Sequence, residues 1–331
     1  MYVGVDYHKR YSVATIMNEA GAILSQQRVN NDPETLRQFA AQLPAGSTIA
    51  LEATGSWYYF YELLENTGID IRLAHPLKTR AIAEARIKTD KIDATMLAHL
   101  LRADLLPTAY IPPQEIRDIR EILRYRASLV ALRTSLKNKV HAIVSKNGID
   151  IQYSNIFGKK ALRYLKNLEL RPCYRVGLDG YLRLAELFTI LIAEVTENIK
   201  EIVKDNPQAT LLTSIPGISY YSALLILSEI GDVSRFLSAR KLCAYAGLVP
   251  SVHCSGGKSW HGTITKQGSR WLRWILVELS PHFARSCERL QRMYARISHK
   301  QGKHTARVAV AREMLKIIYY MLRDNRAFVR G

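Results

Sequence analysis

Over the first hundred positions apolar residues gather in short runs, and beyond them they recur every three or four residues, so two kinds of structure are expected along the chain. Tyr2-Val3-Gly4-Val5-Asp6 is an apolar run that ends on a carboxylate. Residues 11–17 and 22–29 flank Asn18-Glu19-Ala20-Gly21, whose turn chemistry predicts an antiparallel hairpin. Asp32-Pro33-Glu34 has the form of a helix start, with Asp as cap and Pro in the first turn. Thr48-Ile49-Ala50-Leu51-Glu52 is a second apolar run closed by a carboxylate. A helix is expected over 57–66, a third buried strand over 69–74, and a helix over 89–102, where Ile92, Met96, Leu97, Leu100 and Leu101 keep helical spacing.

Pro107 and Pro112-Pro113 mark a boundary. Beyond it Ile122, Leu129, Leu136 and Ile143 recur at intervals of seven, with Ile119 and Val140 on the same side and Arg126 and Arg133 on the seam. Tyr181, Ala185, Phe188, Ile192, Val195, Ile199 and Ile202 form a second run. Two such helices suit an antiparallel hairpin, a dimer with another copy, or an ordinary helical core. From Thr210 onward, Leu211 to Ile218 leads into an apolar helix through Leu227 and has the look of a helix-hairpin-helix, in which the Gly217 turn would face a DNA phosphate. A Gly-rich, basic stretch follows, Ser255 to Lys258 and Lys266 to Arg270, and an amphipathic region from Trp271 to Arg323 ends the pattern. The expected divisions are 1–106, 107–207 and 208–331.

Charge narrows the partners. The 331 residues carry a formal net charge of +18, a field that attracts polyanions and favours nucleic acid. No apolar stretch approaches bilayer length, so no membrane is expected, and Asp6, His8, Lys9 and Arg10 interrupt any signal-peptide pattern. Cys173, Cys243, Cys254 and Cys287 are scattered without a CxxC pair, which suits a reducing cytoplasm and argues against a zinc knuckle.

The chemistry is expected at the strand ends. A hairpin followed by alternating strands and helices is the order of a ribonuclease-H-like α/β sheet, with Asp6 and Glu52 at two strand ends. Asp90 and Asp93 lie three apart and so share one helical face. Four carboxylates on one patch repel, about 4 kcal/mol for two charges at ~4 Å in an effective dielectric of ~20. Hard divalent ions reverse that sign, and two of them, Mg²⁺ or Mn²⁺, can activate a nucleophile and stabilise a leaving oxygen of a phosphodiester. The opposing reading of the same residues is a solvated charged face. His8 is placed to approach metal or DNA, and Trp57, Tyr58 and Tyr59 to stack on bases, but a structural role is the favoured reading for each, and His253 with Cys254 makes a poor metal site.

Gly4-Val5-Asp6-Tyr7-His8-Lys9, Leu51-Glu52-Ala53-Thr54-Gly55 and Lys88-Thr89-Asp90-Lys91-Ile92-Asp93-Ala94 resemble the three signature blocks of the DEDD transposases. These are RuvC-like insertion-sequence enzymes related to Piv-type DNA invertases and to bridge-RNA-guided recombinases. The segment from Ile215-Pro216-Gly217 to Leu272-Arg273 is similar to their C-terminal domain. The resemblance implies a RuvC-like α/β domain, a helical coiled-coil dimerisation segment and a mostly α transposase domain. It implies catalytic Asp6, Glu52, Asp90 and Asp93 binding metal, and a serine before glycine, which nominates Ser255 with Ser251 and Ser259 as alternatives. Lys258, Lys266, Arg270 and Arg273 would hold the scissile phosphate. It further implies element and target DNA, a structured noncoding guide RNA, homodimers or homotetramers, and a nucleoid-associated cytoplasmic protein. A RuvC-like Holliday-junction resolvase using water is the alternative. A sugar-kinase-like ATPase would need a second α/β half, and a non-catalytic binding protein would be indifferent to its acidic residues.

Overall fold

The computed structural model describes residues 1–53, 57–83, 89–153, 155–255 and 258–329, with the backbone alone for His253, Ser255, Lys258 and His261. It comprises two compact units, Met1–Ile111 and Pro112–Gly331.

In the first unit, β1 (Tyr2–Tyr7), β2 (Tyr11–Met17) and β3 (Ile23–Asn30) form the expected antiparallel hairpin and its neighbour. The Asn18 side chain accepts from Ala22 N–H at 2.9 Å, the turn chemistry read from the sequence. The helix α1 (Pro33–Ala41) begins at Asp32, whose carboxylate accepts from Thr35 N–H. Next come β4 (Thr48–Glu52), α2 (Trp57–Leu64), β5 (Asp70–Ala74), a short α3 (Pro76–Ile82) and α4 (Asp90–Arg102). The sheet order is β3-β2-β1-β4-β5, antiparallel on the β2 side of β1 and parallel across β1, β4 and β5. One face buries Val3, Val5, Ile49 and Leu51 with Leu36, Phe60 and Leu64 from α1 and α2. The other face lies under α4. The short α3 is absent from the sequence reading, because its seven residues bury none of their side chains and show no amphipathic period.

In the second unit, α5 (Gln114–Lys146) and α7 (Pro172–Lys204) are helices of 33 residues each, connected through α6 (Lys159–Lys166). They pack antiparallel: Arg126 Nε donates to Thr196 Oγ1 at 2.9 Å and Arg133 Nη1 to Thr189 Oγ1 at 3.3 Å. The seam arginines that interrupt the heptads therefore meet threonines at the same seven-residue interval on the opposite helix. At the far end Val140 and Val144 pack with Leu178 and Leu182, closed by Leu165 of α6. On α7 the buried face is the expected one at Ala185, Ile192, Val195 and Ile199. On α5 the expected face is buried at Leu129 and Val140 and is joined by Leu123 and Val144, while Ile122, Leu136 and Ile143 are only half-buried.

The remaining core joins this hairpin to α8 (Pro207–Thr213), α9 (Tyr220–Ile230), α10 (Ala239–Tyr245), α11 (Arg270–Ala284), α12 (Glu288–Gln301) and α13 (Lys303–Asp324). Between α10 and α11, β6 (Pro250–Ser255) and β7 (Lys258–Ile264) form a two-stranded antiparallel hairpin. The amphipathic region from Trp271 resolves into three helices, separated near Arg285 and at Gly302, whose φ of +86° ends α12. Among the described residues no helix is long and apolar enough to cross a membrane.

Candidate active site

Strand parity turns Asp6 and Glu52 toward the same face of the sheet. Side chains alternate across a strand, and Val3 and Val5 face α1 and α2. Gly4 and Asp6 therefore face α4. On β4, Ala50 packs with Leu97 and Leu101 of α4, so Glu52, two residues on, shares that face. The parallel register pairs Gly4 with Ala50 and Val5 with Leu51. Continued by one residue, it sets Asp6 beside Glu52 at the carboxyl ends of two central strands.

The helix is drawn onto β1 by the absence of a side chain. A Cβ on Gly4 would fall 1.9 Å from the Ala94 carbonyl oxygen and 2.6 Å from Ala98 N, so α4 rides directly on the strand backbone. Ala94 and Ala98 are fully buried at this contact. Thr15 Oγ1 lies 3.1 Å from Thr95 Oγ1, and Gln26 Nε2 donates to Thr95 Oγ1 at 2.8 Å, fixing the helix against β2 and β3. Thr89 caps α4 by accepting from Ile92 N–H, so Asp90 and Asp93 occupy the first turn, where the helix dipole favours anions.

Asp6 and Asp90 meet at His8. His8 Nε2 is 3.2 Å from Asp6 Oδ2 and 3.1 Å from Asp90 Oδ2, and Tyr11 O–H donates to Asp90 Oδ2 at 3.1 Å. One ligand atom from each of Asp6, His8 and Asp90 lies within 4.8 Å of the others. The turn carrying His8 is pinned by Asn31, which donates to the His8 carbonyl at 2.6 Å and accepts from Ser12 Oγ at 2.7 Å. Arg28 lies 3.8 Å from the centre of the Tyr11 ring.

Burial pushes the Asp6 carboxyl above the ordinary carboxylate range. His8 opposes the rise, while the Asp90 and Asp93 carboxylates add to it. Asp93 is thus close enough to act on Asp6 electrostatically. His8 Nε2 is shielded from solvent and, despite its two close oxygens, has no hydrogen bond of good geometry among the described residues. A half-buried group of carboxylate oxygens around an unsatisfied imidazole nitrogen is a donor set that fits a divalent cation. His8 is the residue that the sequence reading undervalued. It lies two positions past Asp6 and keeps its parity, which was the available signal. Tyr11 gave no signal, because its role depends on an oxygen 79 residues away.

Pro216-Gly217 form a turn between α8 and α9 in which Ile218 N–H bonds the Ile215 carbonyl at 3.1 Å and Gly217 has φ of +92°. That is type II turn chemistry. A Cβ on Gly217 would also approach His282 Cβ to 2.9 Å. Ser255 ends β6 opposite Lys258, but the side chains of both, and residues 256 and 257, lie outside the described residues. So do Thr54, Gly55 and Lys88 of the acidic blocks. Lys266 is exposed in a left-handed conformation, and Arg270 is exposed as the first residue of α11. Arg273 is half-buried and donates through Nη1 to the Ala246 carbonyl at 2.9 Å. The β6–β7 hairpin was hidden in the sequence by its glycines and lysines, which are poor strand formers.

A family described as "Transposase", of the DEDD type of IS110, matches residues 3–147, and one described as "Transposase IS116/IS110/IS902 family" matches residues 209–296. The transposase for insertion sequence element IS1111A of Coxiella burnetii is 26% identical, over 99% of this chain and 91% of its own length. The transposase for IS1328 of Yersinia enterocolitica is 25% identical over 98% of each. The pilin gene-inverting protein of Moraxella bovis is 28% identical over 85% of this chain and 81% of its own length. DEDD transposases as a class depend on divalent metal. With its acidic strand ends, its α4 carboxylates and both halves matched, the chain belongs to the IS110 family of insertion-sequence transposases, enzymes that recombine DNA.

Proposed function

We propose that Asp6, Glu52, Asp90 and Asp93 hold Mg²⁺ or Mn²⁺, as two ions, at the RuvC-like centre of a DNA strand-transfer enzyme. The observation that supports this reading is the Gly4 contact with α4, which brings the helical turn bearing Asp90 close to Asp6. The bound metal would supply positive charge to the scissile phosphate and to the oxygens entering and leaving it. Tyr11 holds Asp90 by its hydrogen bond, and His8 Nε2 lies between the Asp6 and Asp90 carboxylates. Ser255 is the proposed nucleophile. Its Oγ forms a bond to phosphorus as one DNA P–O bond breaks, giving a serine–DNA phosphodiester and a free DNA hydroxyl. A hydroxyl of the recipient strand then displaces serine and restores the DNA phosphodiester.

Lys258, Lys266 and Arg270 are proposed to hold phosphates, with Arg273 supporting the base of their loop, and Gly217 to present backbone to DNA in a helix-hairpin-helix. A structured noncoding RNA would supply sequence choice, the chain reading backbone and shape. Residues 107–207 are proposed as the dimerisation segment. Leu184, Leu187 and Ile190 are exposed along α7, an apolar ridge suited to coiled-coil contact with a second copy in a dimer or tetramer.

Strand exchange with purified protein and element DNA tests the reading. Asp6→Ala should abolish exchange while DNA binding persists, and Ser255→Ala should abolish a trapped protein–DNA adduct. Exchange unchanged in Asp6→Ala would remove the acidic centre from the mechanism. An adduct that persists in Ser255→Ala would exclude that nucleophile, and exchange with no adduct in the wild type would favour water, as in a resolvase.

A further inference from the structure

The second unit contains a cleft of about 670 Å³ whose described lining includes Arg270, one of the proposed phosphate-holding residues, but neither the proposed metal-binding carboxylates nor Ser255. Its one wall is α5, where Ala127 and Ala131 leave a shallow surface, and its other is α11, which presents Trp271 and Trp274. The two indoles meet edge to face at 5.8 Å, and Trp274 is 42% exposed, a large apolar surface left open to solvent. Tyr221 of α9 lines the same cleft, with the Arg126 guanidinium 4.3 Å from its ring centre. Arg270 stands at the rim, 5.5 Å from the Trp271 ring. No acidic side chain is among the lining residues described.

An open, mostly apolar cleft with aromatic walls and a cationic rim suits a ligand that is a flat ring on an anionic chain. An aromatic face stacks with any nucleobase, and arginine beside it answers the phosphate. We propose that this cleft seats an unpaired nucleobase of the bound nucleic acid, stacked on Trp274, with Arg270 on the adjoining phosphate. A second copy of the chain is the weaker occupant. Its helices would bring a mixed-charge surface to a rim that presents Arg270 and Arg126, and the uncharged ridge of Leu184, Leu187 and Ile190 on α7 offers that contact a better place. The inference deepens the nucleic-acid reading given above and rests on it.

The test is fluorescence anisotropy of the full chain with labelled oligothymidylate, oligouridylate and an abasic strand of equal length. Wild type should bind a base-bearing strand more tightly than the abasic one. Trp274→Ala should weaken binding of one or both base-bearing strands about tenfold, the scale of one lost stack, and leave the abasic strand unaffected. Trp274→Phe should keep most of the affinity. Equal binding of base-bearing and abasic strands by wild type overturns the proposal without recourse to any variant. So does an equal loss for all strands in Trp274→Ala, or a lower oligomeric state by light scattering with strand affinity unchanged. Failure of the wild type to bind any strand would instead overturn the nucleic-acid reading itself.

Discussion

Gly4 and Ala94 touch backbone to backbone, and the contact leaves no space for a Cβ: that atom would lie 1.9 Å from the Ala94 carbonyl oxygen. The obstacle is main chain, so no rotamer change relieves it. Gly4→Ala should therefore lift α4 from β1 and carry Asp90 away from Asp6. Overpacking of this kind costs roughly 3 kcal/mol, to be read from chemical denaturation. Metal affinity should fall although every carboxylate remains. A variant as stable as wild type, with unchanged metal affinity, would mean that this contact does not set the site.

Tyr11 reaches the site through its hydrogen bond to Asp90 and its ring contact with His8, 4.8 Å between centroids. Removing its hydroxyl in Tyr11→Phe leaves the Asp90 carboxylate in place but less constrained. Mn²⁺ affinity should drop about tenfold, as is usual for groups that orient metal ligands, with little change in thermal stability. An affinity equal to that of wild type would make Tyr11 a bystander.

The raised Asp6 carboxyl has a consequence for stability. Its folded-state proton affinity exceeds that of the unfolded chain, so its contribution is favourable below the ordinary carboxylate range and is lost as pH rises through the folded-state value. In metal-free buffer near neutral pH, Asp6→Asn should melt at a higher temperature than wild type. The gap should shrink as pH falls below the ordinary carboxylate range, where Asp6 is neutral in both states. Divalent metal should raise the melting temperature of wild type and leave Asp6→Asn little changed. Scanning calorimetry at several pH values, with and without Mn²⁺, checks both signs.

Glu229 is 3% exposed and joins three elements. It lies 3.2 Å from Arg124 Nη2 and 3.8 Å from Arg120 Nε on α5, and accepts from Ser269 Oγ, the cap of α11, at 2.8 Å. Arg120 is also buried, and donates to the Ser228 carbonyl at 2.9 Å. Glu229→Ala would strand buried positive charge and should cost about 3 kcal/mol or more in denaturant unfolding. Arg124→Ala, at a partly exposed position, should cost about 1 kcal/mol or less. Equal effects of the two would contradict the assignment of Glu229 as the hub.

Much of the first unit was legible because strand period, turn residues and caps are local signals. Asp6 and Glu52 ended apolar runs, Asn18 to Gly21 turned the hairpin, and Asp32 capped α1, all within a few residues of one another. The approach of α4 to Asp6, and the sheet face that Glu52 shares with it, were not local. They depend on the β1–β4 register and on Gly4, which by itself reads as a weak point in a strand. The Glu229 network was illegible for the same reason, its partners Arg120 and Arg124 being more than 100 residues away. On α5 the heptad reading followed Ile122, Leu129, Leu136 and Ile143 with Val140 beside them; Leu129 and Val140 are buried as read, whereas tertiary contact buries Leu123 and Val144 in place of Ile122 and Ile143. Arg126 and Arg133 explain the shift, because each takes a seam position by bonding a threonine of α7.

A single titration bears most directly on the claim that acidic residues from two strands and one helix form a common metal site. Mn²⁺ binding to the full chain should be measured by calorimetry for wild type, Asp6→Asn, Glu52→Gln, Asp90→Asn and Asp93→Asn. Each substitution should weaken the same binding event while circular dichroism reports an intact fold. Wild-type affinity in Glu52→Gln, the residue whose place follows from strand register, would contradict the four-carboxylate centre.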